Sequence, residues 1–462
     1  KDGLYAAALS ALVEKDQEGY VKGLKGIVRA YPDDKRAHVD LAWFYKNGKK
    51  YDEAIIEFNK ALEIDPAFGY ALNMLAYTYA EMGKSETALK TFERYAAALP
   101  GEANPHDSMG YLYFFSGNFD KARAKYEQAL AIRPGFLSAW KLAYLHAMDG
   151  DYDRALQWVD HLITNAPTDG IRAQGYQWKG FYDSIMGRFA EALAELGRAE
   201  AMAKASGNAE LADITLRGAL WICYDWGKID LCRTYLKRRL ATRAESGQGT
   251  PTLNKVYELL YSGLLDIKNG DVTTARKKLV EIQAPSGTIA EKEKNFNQLA
   301  VNLLKREVLL AEGAYDEAVR VFREGPPVQV DLAAYTTVQQ KNLPFQADFA
   351  ARVFAKKGET DKAITEYERL VSPDPGIREG ALVHPFSRFR LAALYEAKGT
   401  PEKAAEQYEE SLKVWKNADP GLAEVSIARK KLAAIKAKLA GPHGAAGSLL
   451  SSYFLSETLI LP

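Results

Sequence analysis

Residues Lys35–Phe68 read KRAHVDLAWFYKNGKKYDEAIIEFNKALEIDPAF, two helical runs with a turn between them and a second turn at the end. Leu41, Tyr45, Ala54, Phe58, Ala61 and Pro66 recur in kind at a step of 34 residues, as Leu75, Tyr79, Ala88, Phe92, Tyr95 and Pro100. One step further they return as Met109, Tyr113, Ala122, Tyr126, Ala129 and Pro134. Small residues (Ala42, Ala76, Gly110) stand in each first helix, and Ala54, Ala88 and Ala122 in each second. Small side chains at both places let two antiparallel helices approach closely while large ones fill the gaps around them. Gly48, Gly83 and Gly117 fall between the helices, where a left-handed residue is expected. Pro32, Pro66, Pro100 and Pro134 close each unit, because proline cannot continue a helix.

This pattern resembles the tetratricopeptide repeat. The resemblance implies an all-α solenoid, a right-handed superhelix of about eleven helix–turn–helix units. Residues 1–34 read as an atypical first repeat, with Tyr20 where later copies carry Ala. Residues 35–205 read as regular repeats, 206–343 as longer divergent ones, and 344–440 as C-terminal repeats with a capping helix. Within these, Arg306 occupies a close-contact position where a small residue is expected, and 324–342 reads as a connection. The run LYEAKGTPEKAAEQYEESLKVWKNADP resembles terminal repeats of bacterial proteins that join such arrays to kinase or DNA-binding regulatory domains. Residues 441–462, GPHGAAGSLLSSYFLSETLILP, form a hinge and then an apolar tail with one charge, Glu457. Its alternation reads as extended, not as another helix.

Lys plus Arg total 61 and Asp plus Glu 60, which argues against a nucleic acid held by bulk charge. No apolar run is long enough to span a membrane. Cys223 and Cys232 make no disulfide framework and leave the compartment open. A chain starting at Lys1 fits a processed secreted protein or a piece of a longer one. No catalytic residue, metal site or cofactor is expected: the sequence has no phosphate-cradling GxxxxGK[ST] and no HExxH. Its six histidines do not cluster, and the acidic turn at 147–155 lacks calcium-loop spacing.

The resemblance also implies that the ninth position of each first helix faces a groove. That position holds Trp43, Tyr77, Tyr111, Tyr144, Phe181 and Trp221, with Phe114, Phe115, Trp140 and Tyr224 nearby. The series then gives way to Leu264, Glu307, Arg352 and Ala393. Either the rings pack as core between first helices, or they line a surface for an extended apolar segment. The expected partner is a protein or peptide. The tail, through Tyr453, Phe454, Leu455, Leu459, Ile460 and Leu461, is one candidate occupant. It could enter a neighbour's groove, giving a head-to-tail ring or filament, or its own, or be a remnant of cloning. The other reading is a sensory or regulatory region of a larger bacterial kinase or transcription regulator.

Overall fold

The computed structural model describes residues 2–14, 16–284, 293–325, 330–332 and 334–440. These form 25 α-helices, with no strand among the described residues. The tail at 441–462 lies outside them. The chain divides into two compact units, Lys1–Leu142 and Ala143–Pro462.

In the first unit α1 (Asp2–Val13) pairs with α2 (Gln17–Ala30), and α3 (Lys35–Asn47) with α4 (Tyr51–Ile64). Next come α5 (Gly69–Glu81) with α6 (Ser85–Ala98) and α7 (Asn104–Phe115) with α8 (Phe119–Ile132); the division between the units falls within α9 (Ser138–Met148). The Asp34 carboxylate starts α3 by accepting from the backbone N–H of Arg36 and Ala37 at 3.1 and 3.3 Å, a cap worth about 1 kcal/mol. The opposite wall buries Ala54, Phe58, Ala61 and Leu62 of α4 at helical spacing. Gly110 shows why the close-contact position must be small: a Cβ there would lie 2.6 Å from the Tyr126 ring.

One turn departs from expectation. Gly83 and Gly117 are left-handed (φ 75° and 74°), but Gly48 is not (φ −79°). The left-handed residue of that turn is Lys49, φ 58°. Lys49 stands one repeat before Gly83, so the turn geometry keeps register where the residue type does not. A side chain there costs about 1–2 kcal/mol.

The second unit continues with α10 (Tyr152–Asn165), α11 (Asp169–Ile185), α12 (Phe189–Ala205), α13 (Ala209–Trp226) and α14 (Ile229–Glu245). There follow α15 (Pro251–Lys268), α16 (Val272–Gln283), α17 (Lys294–Ala311) and α18 (Tyr315–Glu324). Two short helices, α19 (Tyr335–Lys341) and α20 (Pro344–Ala347), precede α21 (Phe349–Lys357), α22 (Thr360–Leu370), α23 (Pro385–Ala397), α24 (Pro401–Val414) and α25 (Ala423–Leu439).

This unit is tied across long separations. The Tyr144 and Tyr152 hydroxyls donate to the carbonyls of Gly380 and Val383 at 2.8 and 3.2 Å. Arg378 reaches back to the Met148 carbonyl at 3.1 Å. Asp419 donates its N–H to the Gly187 carbonyl at 2.9 Å, and its carboxylate accepts from Ala190 N–H at 3.0 Å, capping α12. Phe189 and Ala192 share one core with Phe386 and Trp415.

His384 starts α23 in this region. Its Nδ1 accepts from the Phe386 N–H at 3.3 Å and its ring stacks on Phe386. Burial, then the Arg390 charge, push its pKa from 6.5 down to about 3. The folded state therefore holds the imidazole neutral while the unfolded chain protonates it. The contribution is complete above about pH 6.5 and is lost as pH falls toward 3. Asp225 and Asp183, raised by burial to about 7 and about 6, act in the opposite sense, losing stability as pH rises. His384→Asn keeps a cap acceptor without the titration. The difference in unfolding free energy between wild type and variant should be flat above pH 6.5. Below that it should fall by up to about 1.4 kcal/mol per pH unit, read from urea unfolding at several pH values. A pH-independent difference would refute this account.

Candidate functional site

The first unit carries six of the ring positions singled out above, Trp43, Tyr77, Tyr111, Phe114, Phe115 and the buried Trp140. Trp43 is 44% exposed, Tyr77 and Tyr111 are half-buried, and Phe114 is buried. Repeat geometry brings successive rings together. Tyr77 and Tyr111 stand 6.5 Å apart edge-on, and Tyr111 lies 4.6 Å from Phe115, itself 50% exposed. Phe114 packs against Phe115 and Phe119 instead. Polar groups run beside the rings. The Tyr77 hydroxyl donates to Ser108 at 2.9 Å, and Asn104 donates to the Asn73 side-chain oxygen at 2.9 Å. Asp107 is buried and satisfied, accepting from Ser138 at 2.7 Å and Lys141 at 2.6 Å. The surface thus offers ring faces and amides with its buried charges paired, which suits a largely uncharged ligand.

In the second unit the equivalent rings are covered. Tyr144, Phe181 and Trp221 are all buried. The cover is the chain's own connecting stretch, α19 and α20. Tyr335 sets its ring edge-on to Trp178 and Phe181 (4.9 and 6.3 Å) and donates to the Gln177 carbonyl at 3.2 Å. Asn342 donates to the Tyr144 hydroxyl at 3.1 Å, and its side-chain oxygen accepts from Leu382 N–H at 2.6 Å. Phe345 inserts its ring 5.2 Å from Trp221 and 5.0 Å from Tyr224. Burial pushes the Tyr144 phenol well above its usual range, so it stays protonated and donates.

Where the ring series ends, charge takes over in the same register. Arg352 makes a paired bond to Glu307 (2.7 and 3.3 Å) and donates to the Phe345 carbonyl at 2.6 Å. It also binds Asp348 at 3.0 Å. The fully buried Asp348 accepts as well from Arg390 and from Tyr367, the latter at 3.1 Å. This network fixes the end of the covering segment.

Sequence reasoning did not reach Tyr335, Asn342 and Phe345. The signal available was three ring- or amide-bearing residues in a stretch with no repeat of its own to bury them. Cys223 and Cys232 are free and buried. The bond to Cys232 and burial push the Cys223 thiol up, away from reactivity. Among the described residues no group of three or more His, Cys, Asp or Glu side chains is placed to hold a metal ion. Among them, too, no helix is long and apolar enough to cross a membrane.

Profiles of the tetratricopeptide repeat match residues 35–68, 57–90 and 108–170. Solved structures with similarity include the protein MamA, at 20% identity over 34% of this chain and 93% of MamA, TM-score 0.30. A tetratricopeptide repeat protein from Parabacteroides merdae is 16% identical, over 66% of this chain and 98% of that one, TM-score 0.35. The Thermus thermophilus repeat protein TTC0263 is 20% identical, over 38% and 98%, TM-score 0.31. No curated protein matches the chain. Helix pairs in a 34-residue register, small residues at their contacts and the profile matches over 35–90 and 108–170 identify tetratricopeptide repeats in this chain, and such repeats support a general role as a protein–protein interaction scaffold.

Proposed function

We propose that the first unit grips an extended, largely uncharged segment of a partner protein across Trp43, Tyr77, Tyr111 and Phe115. One observation carries this reading. The same register positions in the second unit are covered by a segment of the chain that brings Tyr335 and Phe345, whereas Trp43 and Phe115 stay exposed. The covering segment is a template for the ligand: Tyr335 meets rings edge-on, Phe345 meets them tilted, and an amide meets a hydroxyl. Such rings supply large contact area at low entropic cost and are the usual binding hot spots. The scaffold works without catalysis in this reading, by holding its partner.

A second reading makes the occupant the chain's own C-terminal stretch, in a neighbouring copy. Tyr453 and Phe454 give 441–462 the adjacent rings that this mode of recognition uses, and Glu457 is its single charge. A head-to-tail contact of this kind closes into a ring or extends as a filament.

One experiment addresses both readings. Random peptides displayed on phage are selected against the chain ended at Ala440, with a synthetic 441–462 peptide titrated in parallel. Selected peptides should share two aromatic residues in a short uncharged run. Tyr111→Ala should weaken them at least tenfold, about 1.4 kcal/mol. Tail-peptide binding with the same sensitivity would make the chain its own partner. Enrichment of charged sequences indifferent to Tyr111→Ala would defeat the proposal.

A further inference from the structure

Arg306 of α17 stands at a register position that is Ala or Gly in the first copies. A guanidinium there needs a reason. Its plane lies over the rings of Phe349 and Phe322, at 4.9 and 5.3 Å. Its Nε and Nη2 are buried without a hydrogen-bond partner among the described residues. The nearby acids do not serve it: Glu307 is taken by Arg352, and Asp348 by Arg352 and Arg390. Burial pulls its pKa down to about 10, so it remains charged at neutral pH. Leaving charged donors buried and unpaired is costly, and native proteins almost always satisfy them.

Arg306 lines a cavity of about 610 Å³ within the second unit, the size of a small-molecule site. Among the described residues six cations line it (Arg217, Arg306, Arg323, Lys341, Arg369 and Arg378), against one acid, Glu379. Lys341 is paired with Glu379, Arg369 with Glu366, and Arg378 with backbone carbonyls. Arg217 repeats the anomaly of Arg306: its Nη2 is also buried without a partner among the described residues. Rings line the same cavity: Tyr257 and Phe296, 4.1 Å apart, and Phe322, which lies under the Arg306 guanidinium. The cavity therefore combines unneutralised guanidinium groups with an aromatic wall.

We propose that this cavity binds a small organic anion, an aromatic or apolar body carrying a carboxylate or phosphate group. Arg306 and Arg217 hold the anionic group by charge-assisted hydrogen bonds. Tyr257, Phe296 and Phe322 take the body. Thr336, Gln339 and Gln340 of α19 line the same space, so the ligand also touches the segment that covers Phe181. The proposal uses no residue of the first unit and stands or falls apart from the partner-binding reading.

The test is calorimetric titration of the full chain with 1-naphthoate, 1-naphthyl phosphate and the neutral 1-naphthamide. At least one anion should bind at one site, at least tenfold tighter than the amide, and more weakly as salt rises. The tighter of the two anions identifies the acid group. Arg306→Met should cost the anion at least tenfold and leave the amide unchanged. This variant should melt no lower than wild type, since it removes an unpaired buried charge. If it melts lower, Arg217→Gln decides, with the same expected split between anion and amide. Equal affinity for naphthoate and naphthamide, no binding of either anion at 1 mM, or full anion affinity after both substitutions overturns the proposal.

Discussion

Asp348→Ala should destabilise the second unit by about 3–5 kcal/mol, the cost of breaking a buried ion network by deleting one partner. Asp348 has no exposed surface and answers three donors, from Arg352, Arg390 and Tyr367. Removing it leaves Arg390 without its acid and Arg352 with only Glu307. Its effect reaches beyond α21, because Arg352 also holds the Phe345 carbonyl. The variant should show a lower urea midpoint and faster amide exchange over α19 and α20 than over α10. Asp348→Asn, which keeps shape and some acceptor capacity, should cost less. An unfolding free energy within about 1 kcal/mol of wild type would mean that the two arginines find other partners.

Phe345→Ala should cost about 3–5 kcal/mol, the range for deleting a buried aromatic side chain. The ring belongs to the same core as Trp221, Tyr224 and Tyr261. Phe345→Leu should cost distinctly less, because it retains most of the volume. Intrinsic fluorescence supplies a second readout. Uncovering Trp221 should shift the emission of Phe345→Ala to the red before global unfolding. An unshifted spectrum together with unchanged stability would show that the segment does not seal that ring.

How much of this was legible in the sequence varies by element. The helix pairs of the first unit were legible, since each is decided by neighbours one repeat away. The ring series was also legible as a register: Tyr77 does touch Tyr111, and the two charged residues that end the series, Glu307 and Arg352, bind each other. What occupies those rings was not legible. No pattern in 324–347 says that Tyr335 meets Phe181 or that Phe345 meets Trp221, because such contacts depend on how the helix pairs curve. Lys49 misled for a different reason: the turn imposes its backbone geometry on whatever residue stands there. Arg306 was visible as an anomaly, but not as a guanidinium against two rings beside a cavity.

Repeat arrays usually fold like a row of dominoes, each piece leaning on the next. The first unit fits that picture, with links such as Lys46 to Glu81, 35 residues apart. The second does not. Its ties join residues 158, 229, 231 and 236 positions apart. Such high contact order slows folding, because long loops must close before the contacts that reward them form. During synthesis the first unit can settle as it leaves the ribosome. The rings of α9, α11 and α13 must wait uncovered until α19 and α20 have emerged, and Gly187 must wait longer still for Asp419. That interval, rather than the finished fold, is when this protein is most exposed to misassembly and most in need of a chaperone.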